Sequence, residues 1–495
     1  MGFKTVAFGA LTVAGLTSAN GAGTLLDPVK PVLTPNGRWA QNPLGHVGAN
    51  GPWQPGPNVF GISSDIPDGC KVDQAAYVSR HGSRYPDTGA YAGWVEMAKL
   101  FKEKTYKATG PLAFLHEWEP PLSDPDIQIA QESKTGYKEM YDMGYSLRIR
   151  YPDLYDEGDD FFVWANNYTR VIQTAQLFVH GYLGTNSSLG TVVSVTGKGQ
   201  PQHLGDTLAP SDMCPTFKDD SSKQTAAWQA KWMPSYIKRM SKYIKGDLKL
   251  TDDQWNSFPY ICGFESQITG RLSPFCDTFN DQELAGYEYQ QDLRYYYGVG
   301  PGTDVAAKMM VPFLESLIQR FVNGPEAQGT DFDGGKFQVP KLLMSFLNDG
   351  QLNELAVATG IFDKQKPLPT DRIAKDRLWR SSRISPMRGT LAFERLTCKG
   401  RSPSHPHSGS YNQAQESSYI RIRLNDAVYP LPSCQDGPGK SCSVAKYAKY
   451  IADKNKKQGN FAKICNATDP ATPTQVKGAS FFTDLAQSHL QAVEP

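Results

Sequence analysis

Ala75-Ala76-Tyr77-Val78-Ser79-Arg80-His81-Gly82-Ser83-Arg84-Tyr85-Pro86 begins as an apolar run and turns, within two residues, into a histidine bracketed by arginines. The arrangement suits phosphoryl transfer. An imidazole nitrogen such as that of His81 can attack phosphorus and carry it covalently, and the guanidiniums of Arg80 and Arg84 offer forked donors to the phosphate oxygens. An isolated Arg-His-Gly tripeptide is more often a solvated basic loop, and it is the longer string that sets this one apart.

The plan recurs twice. Phe161-Phe162-Val163-Trp164-Ala165 leads through residues 166–170 into Val171, Ala175, Phe178 and Tyr182 at helical spacing; Leu342-Leu343-Met344-Ser345-Phe346-Leu347 leads through Asn348-Asp349-Gly350 into Leu352, Leu355, Ala356 and Thr359. After the first run, Trp94, Met97, Ala98 and Phe101 predict a helix over about 91–104. Apolar runs alternating with amphipathic helices predict an α/β sheet covered on both faces. In such sheets ligands bind beyond the carboxyl ends of the strands, where all three polar groups fall. Asn348 and Asp349 alone would read as ordinary helix caps; together with the first motif they belong to one cleft.

At 495 residues the chain is long enough for a large unit or two joined domains. Residues 1–19 read as a secretory signal peptide, with Lys4, a small and apolar run over 6–16 and cleavage after Ala19 or Ala22. Residues 20–69 are Pro-, Gly- and Asn-rich and read as an extended arm. The α/β catalytic domain is assigned to 70–204 and 301–495. Between them, 205–300 reads as a mainly helical insertion, exemplified by Trp228, Trp232, Tyr236 and Tyr243 within 225–244. No internal repeat is visible.

Lys+Arg 51 against Asp+Glu 50 leaves a formal charge of +1, which excludes a nucleic-acid binder that relies on a basic field. No later stretch is long and apolar enough for a membrane span. The 8 cysteines are an even count, as expected of disulfides outside the cytosol, but the spacing alone leaves their pairing open. A metal centre is not indicated: there is no C-x-x-C or H-E-x-x-H, and His405-Pro-His407 reads as a solvated loop. Asn167, Asn186 and Asn466 head glycosylation sequons.

The run Arg80 to Pro86 resembles the signature of the histidine acid phosphatases, the branch of the phosphoglycerate-mutase-like superfamily that includes fungal acid phosphatases and phytases. Thr169-Arg170-Val171-Ile172-Gln173-Thr174-Ala175, Leu272-Ser273-Pro274-Phe275-Cys276, Tyr295-Tyr296-Tyr297-Gly298 and Val428-Tyr429-Pro430-Leu431 are similar to further family landmarks, so the resemblance runs from about 70 to 465. It implies an α/β sandwich whose central sheet is flanked by helices, with an inserted, mainly helical cap. It also implies the pairings Cys70 with Cys398, Cys214 with Cys465, Cys262 with Cys276 and Cys434 with Cys442.

By the same resemblance His81 is the nucleophile that becomes phosphohistidine, Arg80, Arg84 and Arg170 hold the phosphate, and Asp349 is the general acid. Position 348 departs from the pattern: Asn348 stands where most members have a histidine, and its amide donates a hydrogen bond without positive charge. The surrounding cations predict a lowered His81 pKa, so that the imidazole is neutral in acid. No metal or organic cofactor is implied.

The expectation is a secreted, extracellular or cell-wall acid phosphatase acting on a broad range of small phosphomonoesters, with no nucleic-acid or membrane partner. Its oligomeric state is not legible. Phytase is the alternative; phytases are rich in lysine just after the signature, whereas residues 87–94 contain none. A phosphoglycerate mutase conflicts with the signal and the cysteines. A non-catalytic phospho-ligand binder would have no use for Asp349.

Overall fold

The computed structural model describes residues 42–399, 416–476 and 478–495. The signal peptide, its cleavage sites, the start of the N-terminal arm and His405-Pro-His407 lie outside the described residues.

A nine-stranded mixed sheet organises the chain. Its strands are β1 (Cys70–Arg80), β2 (Phe161–Asn166), β3 (Gly190–Val195), β4 (Leu342–Leu347), β5 (Thr390–Lys399), β6 (Glu416–Leu424), β7 (Ala427–Val428), β8 (Cys442–Ser443) and β9 (Leu490–Val493), in the order β7-β6-β5-β1-β4-β2-β3-β9 with β8 against β6. The middle is parallel, with Ala75 opposite Leu342, Val163 opposite Met344 and Phe161 opposite Gly190. On its other side β1 meets β5 antiparallel, bringing Ser79 opposite Thr390.

Alternation along the strands sorts side chains into two cores. Tyr77, Val163, Met344 and Phe346 face α2 (Lys134–Arg150) and α3 (Thr169–Leu183), whose Met140, Leu147, Phe178 and Tyr182 complete one layer. The sequence neighbours Ala76, Val78, Trp164 and Leu343 point the other way, into a core shared with Leu317 and Phe321 of α7 (Val311–Asn323) and Leu355 of α8 (Asp349–Ala358). Trp164 is fully buried and its indole N–H donates to Phe481 O at 2.9 Å, so its one polar atom is satisfied. Truncating such a side chain costs about 3–5 kcal/mol.

The helix after the first motif, α1 (Thr88–Glu103), begins three residues before the apolar pattern does. The difference has a plain cause: its first turn, Thr88-Gly89-Ala90, has no large apolar side chain to reveal periodicity. Residues 205–300 contribute α4 (Ser222–Met240), α5 (Asp252–Thr269) and α6 (Asp281–Gly298), held by Cys262–Cys276 and by stacking of Tyr236 on Phe279 at 4.6 Å. Trp94 of α1 packs on Phe264 of α5 at 6.1 Å, so these helices form one body beside the cleft.

The described part of the N-terminal segment is more deeply embedded than a surface arm. Two single turns, Pro43–His46 and Gly48–Asn50, bury Leu44, Val47 and Ala49. All four cysteine pairs implied by the resemblance are present. Cys70–Cys398 and Cys214–Cys465 close long loops, each contributing about 5 kcal/mol on a chain-entropy account. Among the described residues no helix is long and apolar enough to cross a membrane.

Candidate active site

The motif loop leaves β1 at Arg80, and every backbone N–H from Arg80 to Tyr85 has a protein acceptor. Arg80 donates to Gly389 O at 2.8 Å, His81 to Leu347 O at 3.1 Å, and Tyr85 to Gln131 O at 2.9 Å. Gly82 donates to Thr174 Oγ1 at 3.1 Å, Ser83 to Glu139 Oε2 at 2.9 Å, and Arg84 to Gln267 Oε1 at 3.1 Å. Two consequences follow from this accounting. The loop is rigid, and it does not cradle an anion with its backbone; side chains must do so.

Gly82 is closely packed. A Cβ there would lie 2.1 Å from Glu132 Oε1 and 3.0 Å from Met140 Cγ, and one on Gly136 would lie 2.1 Å from Ser83 O. The first turn of α2 is thus pressed directly against the loop that carries His81.

His81 is 1% exposed, and its Nδ1 lies 2.9 Å from Gly82 O. A carbonyl only accepts, so Nδ1 carries the hydrogen and Nε2 holds the lone pair. Burial, followed by Arg80, Arg170 and Arg84, holds the imidazole well below its ordinary pKa. The lowered pKa expected from the surrounding cations agrees in direction, although desolvation outweighs the arginines as its cause.

The structure brings the remaining predicted residues to the same place. Arg80 spends Nη1 on Ala49 O at 2.5 Å and Ser385 O at 2.8 Å, which leaves Nη2 pointing at Asp349 Oδ2, 3.8 Å away. Arg84 is braced by Asp87 at 3.0 Å and lies over the Phe264 ring at 5.3 Å. Arg170, in the first turn of α3, has no carboxylate within ion-pair distance among the described residues; burial and the neighbouring Arg84 bring its pKa to about 10. Asn348 precedes α8 but makes no side-chain cap. Instead its Oδ1 accepts from Arg170 Nη2 at 3.0 Å, and its NH2 group remains free to donate.

Asp349, in the first turn of α8, accepts a hydrogen bond on Oδ2 from the Tyr295 hydroxyl. Burial raises its pKa, but Arg80, the Tyr295 bond and Arg294 prevail and hold it below the usual carboxylate range. In the free protein it is a carboxylate.

Sequence reasoning missed the residues that aim this machinery. Tyr295 was visible only as part of an aromatic landmark, which reads as core. Glu139, Thr174 and Gln267 sit on helices whose apolar pattern gave no hint of a role; their signal is the loop's need for acceptors. Glu132 is 1% exposed, and burial raises its pKa well above the ordinary value against the lowering pull of the Thr174 hydroxyl and the Gly82 N–H.

Comparison with known proteins agrees with this geometry. Residues 71–425 match the profile of the histidine phosphatase superfamily (branch 2). The chain belongs to that superfamily. An acid phosphatase of Komagataella pastoris is 29% identical over 451 residues, covering 90% of each chain. A phytase of Candida albicans is 26% identical, covering 84% of this chain and 86% of the relative. The histidine phosphatase fold is seen again in the crystal structure of the phytase from D. castellii, which matches with a TM-score of 0.75 at 24% identity over 89% of this chain and 90% of that one.

Proposed function

We propose that the protein is a secreted acid phosphatase that hydrolyses a broad range of phosphate monoesters through phosphohistidine at His81. The observation that carries the reading is the Nε2 lone pair of a buried, neutral His81 in the field of three arginines, with Asp349 alongside.

In the first half-reaction Nε2 forms a bond to phosphorus, the P–O ester bond breaks, and the electron pair leaves with the ester oxygen. Arg80, Arg84, Arg170 and the Asn348 amide face the charge on the phosphoryl oxygens. The Nδ1–H bond to Gly82 O supports the imidazolium that forms. Asp349 starts as a carboxylate, so the proton for the leaving group comes with the substrate. A monoester whose second ionisation is near 6 is mostly monoanion at about pH 5. Binding the phosphoryl group offsets the arginines that depress Asp349, and the carboxylate passes this proton to the departing oxygen. Water then attacks phosphorus, the P–N bond breaks back to Nε2, and Asp349 takes the water's proton and returns it to the phosphate, which leaves as the monoanion and restores the carboxylate.

Breadth of substrate is supported by the rim beside Arg84. Residues 87–94 hold no lysine, and Asp87 there pairs with Arg84, so this segment brings no extra basic charge toward a polyphosphorylated ring. Four disulfides fit a compartment outside the reducing cytosol. Asn167, Asn186 and Asn466 are exposed as glycan acceptors require, Asn167 donating to Thr196 Oγ1 at 2.9 Å.

The test is phosphate release at about pH 5 from an aryl phosphate and from phytate side by side, with His81→Ala as control. Release from the aryl ester with little from phytate supports the reading; preference for phytate favours the phytase alternative. Release that survives His81→Ala rejects the mechanism.

A further inference from the structure

A cavity of about 580 Å³ lies behind the catalytic loop, between the last turns of α2, the ends of β5 and β6, and the segment around Trp53. Arg150, Arg388 and Arg423 line it, and neither His81 nor any of the phosphate-facing residues named above does. We propose that it is a second oxyanion site, built on Arg388, for a tetrahedral anion of the phosphate class.

Arg388 is 7% exposed, yet its guanidinium makes no hydrogen bond or ion pair to the described residues, and its Nε is buried without a partner. One face of the group stacks on Trp53, 4.2 Å from the ring centroid, which leaves the edge donors to the cavity. The nearby carboxylates are committed elsewhere. Asp426 pairs with Arg423 at 3.3 Å, Glu139 takes both the N–H and the hydroxyl of Ser83, and Asp142 pairs with Lys138. Glu394 is shared by Arg150, Arg421 and Arg423, and Asp65, at the mouth, takes the Ser63 hydroxyl at 2.8 Å.

A buried cation without a counter-ion is costly, and arginine does not escape by losing its proton. Backbone conformation adds to the cost: Arg388 has φ 59°, in the left-handed region that disfavours a side chain by about 1 kcal/mol. An unpaired, strained guanidinium facing a water-sized to ligand-sized space is what an anion site looks like before its anion arrives. Forked donors suit a tetrahedral oxyanion. Of the lining arginines, Arg388 alone is without an ion-pair partner among the described residues, since Arg150 and Arg423 are paired with Glu394 and Asp426.

The site is also wired to the reaction centre, because the Arg388 N–H donates to His81 O at 2.8 Å. Occupancy is thus one hydrogen bond from the nucleophile's backbone. The inference rests on Arg388 and the cavity and stands apart from the hydrolytic reading.

Equilibrium dialysis of the intact protein with labelled inorganic phosphate at about pH 5 tests it. The expected result is two phosphates per chain, falling to one in Arg388→Gln and returning toward two in Arg388→Lys. One phosphate per chain in both the unaltered protein and a folded Arg388→Gln overturns the proposal. Crystals of the unaltered protein soaked in selenate need no substitution: an anomalous peak beside Arg388 supports the site, with or without a peak at His81. A peak at His81 alone overturns it, as does a cavity still empty at concentrations that fill the catalytic site. A peak beside Arg388 with none at His81 would count against the hydrolytic reading and not against this one.

Discussion

The Tyr295 hydroxyl donates to Asp349 Oδ2, linking helix α6 to the carboxylate proposed to handle the reaction's proton. The bond favours the ionised carboxyl and lowers its pKa. Tyr295→Phe is expected to raise that pKa, so the acid limb of the kcat/KM profile moves to higher pH, while kcat at the optimum falls about tenfold. A profile superimposable on the parent would show that Tyr295 only packs.

Asn348 holds Arg170 through its Oδ1. A hydrogen bond to a charged group is worth about 1.5–3 kcal/mol, so Asn348→Ala is expected to lower kcat/KM by about 10- to 100-fold. Steady-state kinetics on an aryl phosphate decide this. Asn348→His adds a ring that can carry charge but removes the amide acceptor for Arg170; a gain of several orders of magnitude would mark Asn348 as a defect in the site.

Gly82→Ala places a methyl group where Glu132 Oε1 now lies. The loop must move, and a displacement of about 1 Å at a reaction centre costs about 100-fold. The expected variant folds, with unchanged far-UV circular dichroism, and loses that much in kcat. Full activity would mean that the Glu132 side chain gives way without cost.

Glu132 makes stability depend on pH, with a definite sign. Its pKa is raised in the folded state, so below the unfolded value, about 4.3, both states hold the proton and nothing is lost. As pH rises toward the folded value the unfolded chain ionises first, and the fold loses stability. Glu132→Gln is expected to stabilise by about 1–3 kcal/mol at neutral pH and to change little at about pH 4. Thermal unfolding at the two pH values checks it; equal shifts at both would contradict the account.

The three strand-to-helix segments were legible because each strand is buried on both faces and each helix shows its apolar side. Arg80, His81 and Arg84 stood out in a short string whose residue types suit one chemistry, whereas Arg170 came from the resemblance of residues 169–175 to a family landmark. The cysteine pairs came from resemblance alone, since spacing leaves them open. Tyr295 and Gln267 were not legible: they arrive from α6 and α5, far along the chain, and nothing local distinguishes a tyrosine that packs from one that donates to Asp349. Arg388 was hidden for a different reason. Its isolation is a property of where the other charges went, which only the folded arrangement reveals.

The central claim is that a neutral His81 takes the phosphoryl group on Nε2. Mixing the protein with an aryl phosphate, quenching within milliseconds in alkaline denaturant, where a phosphorus–nitrogen bond survives, and mapping the peptides tests it directly. The account predicts a phosphorylated peptide containing His81, with phosphorus on Nε2 by 31P NMR and turnover through it at the steady-state rate. Release of phosphate with no phosphorylated His81 at any time would contradict it.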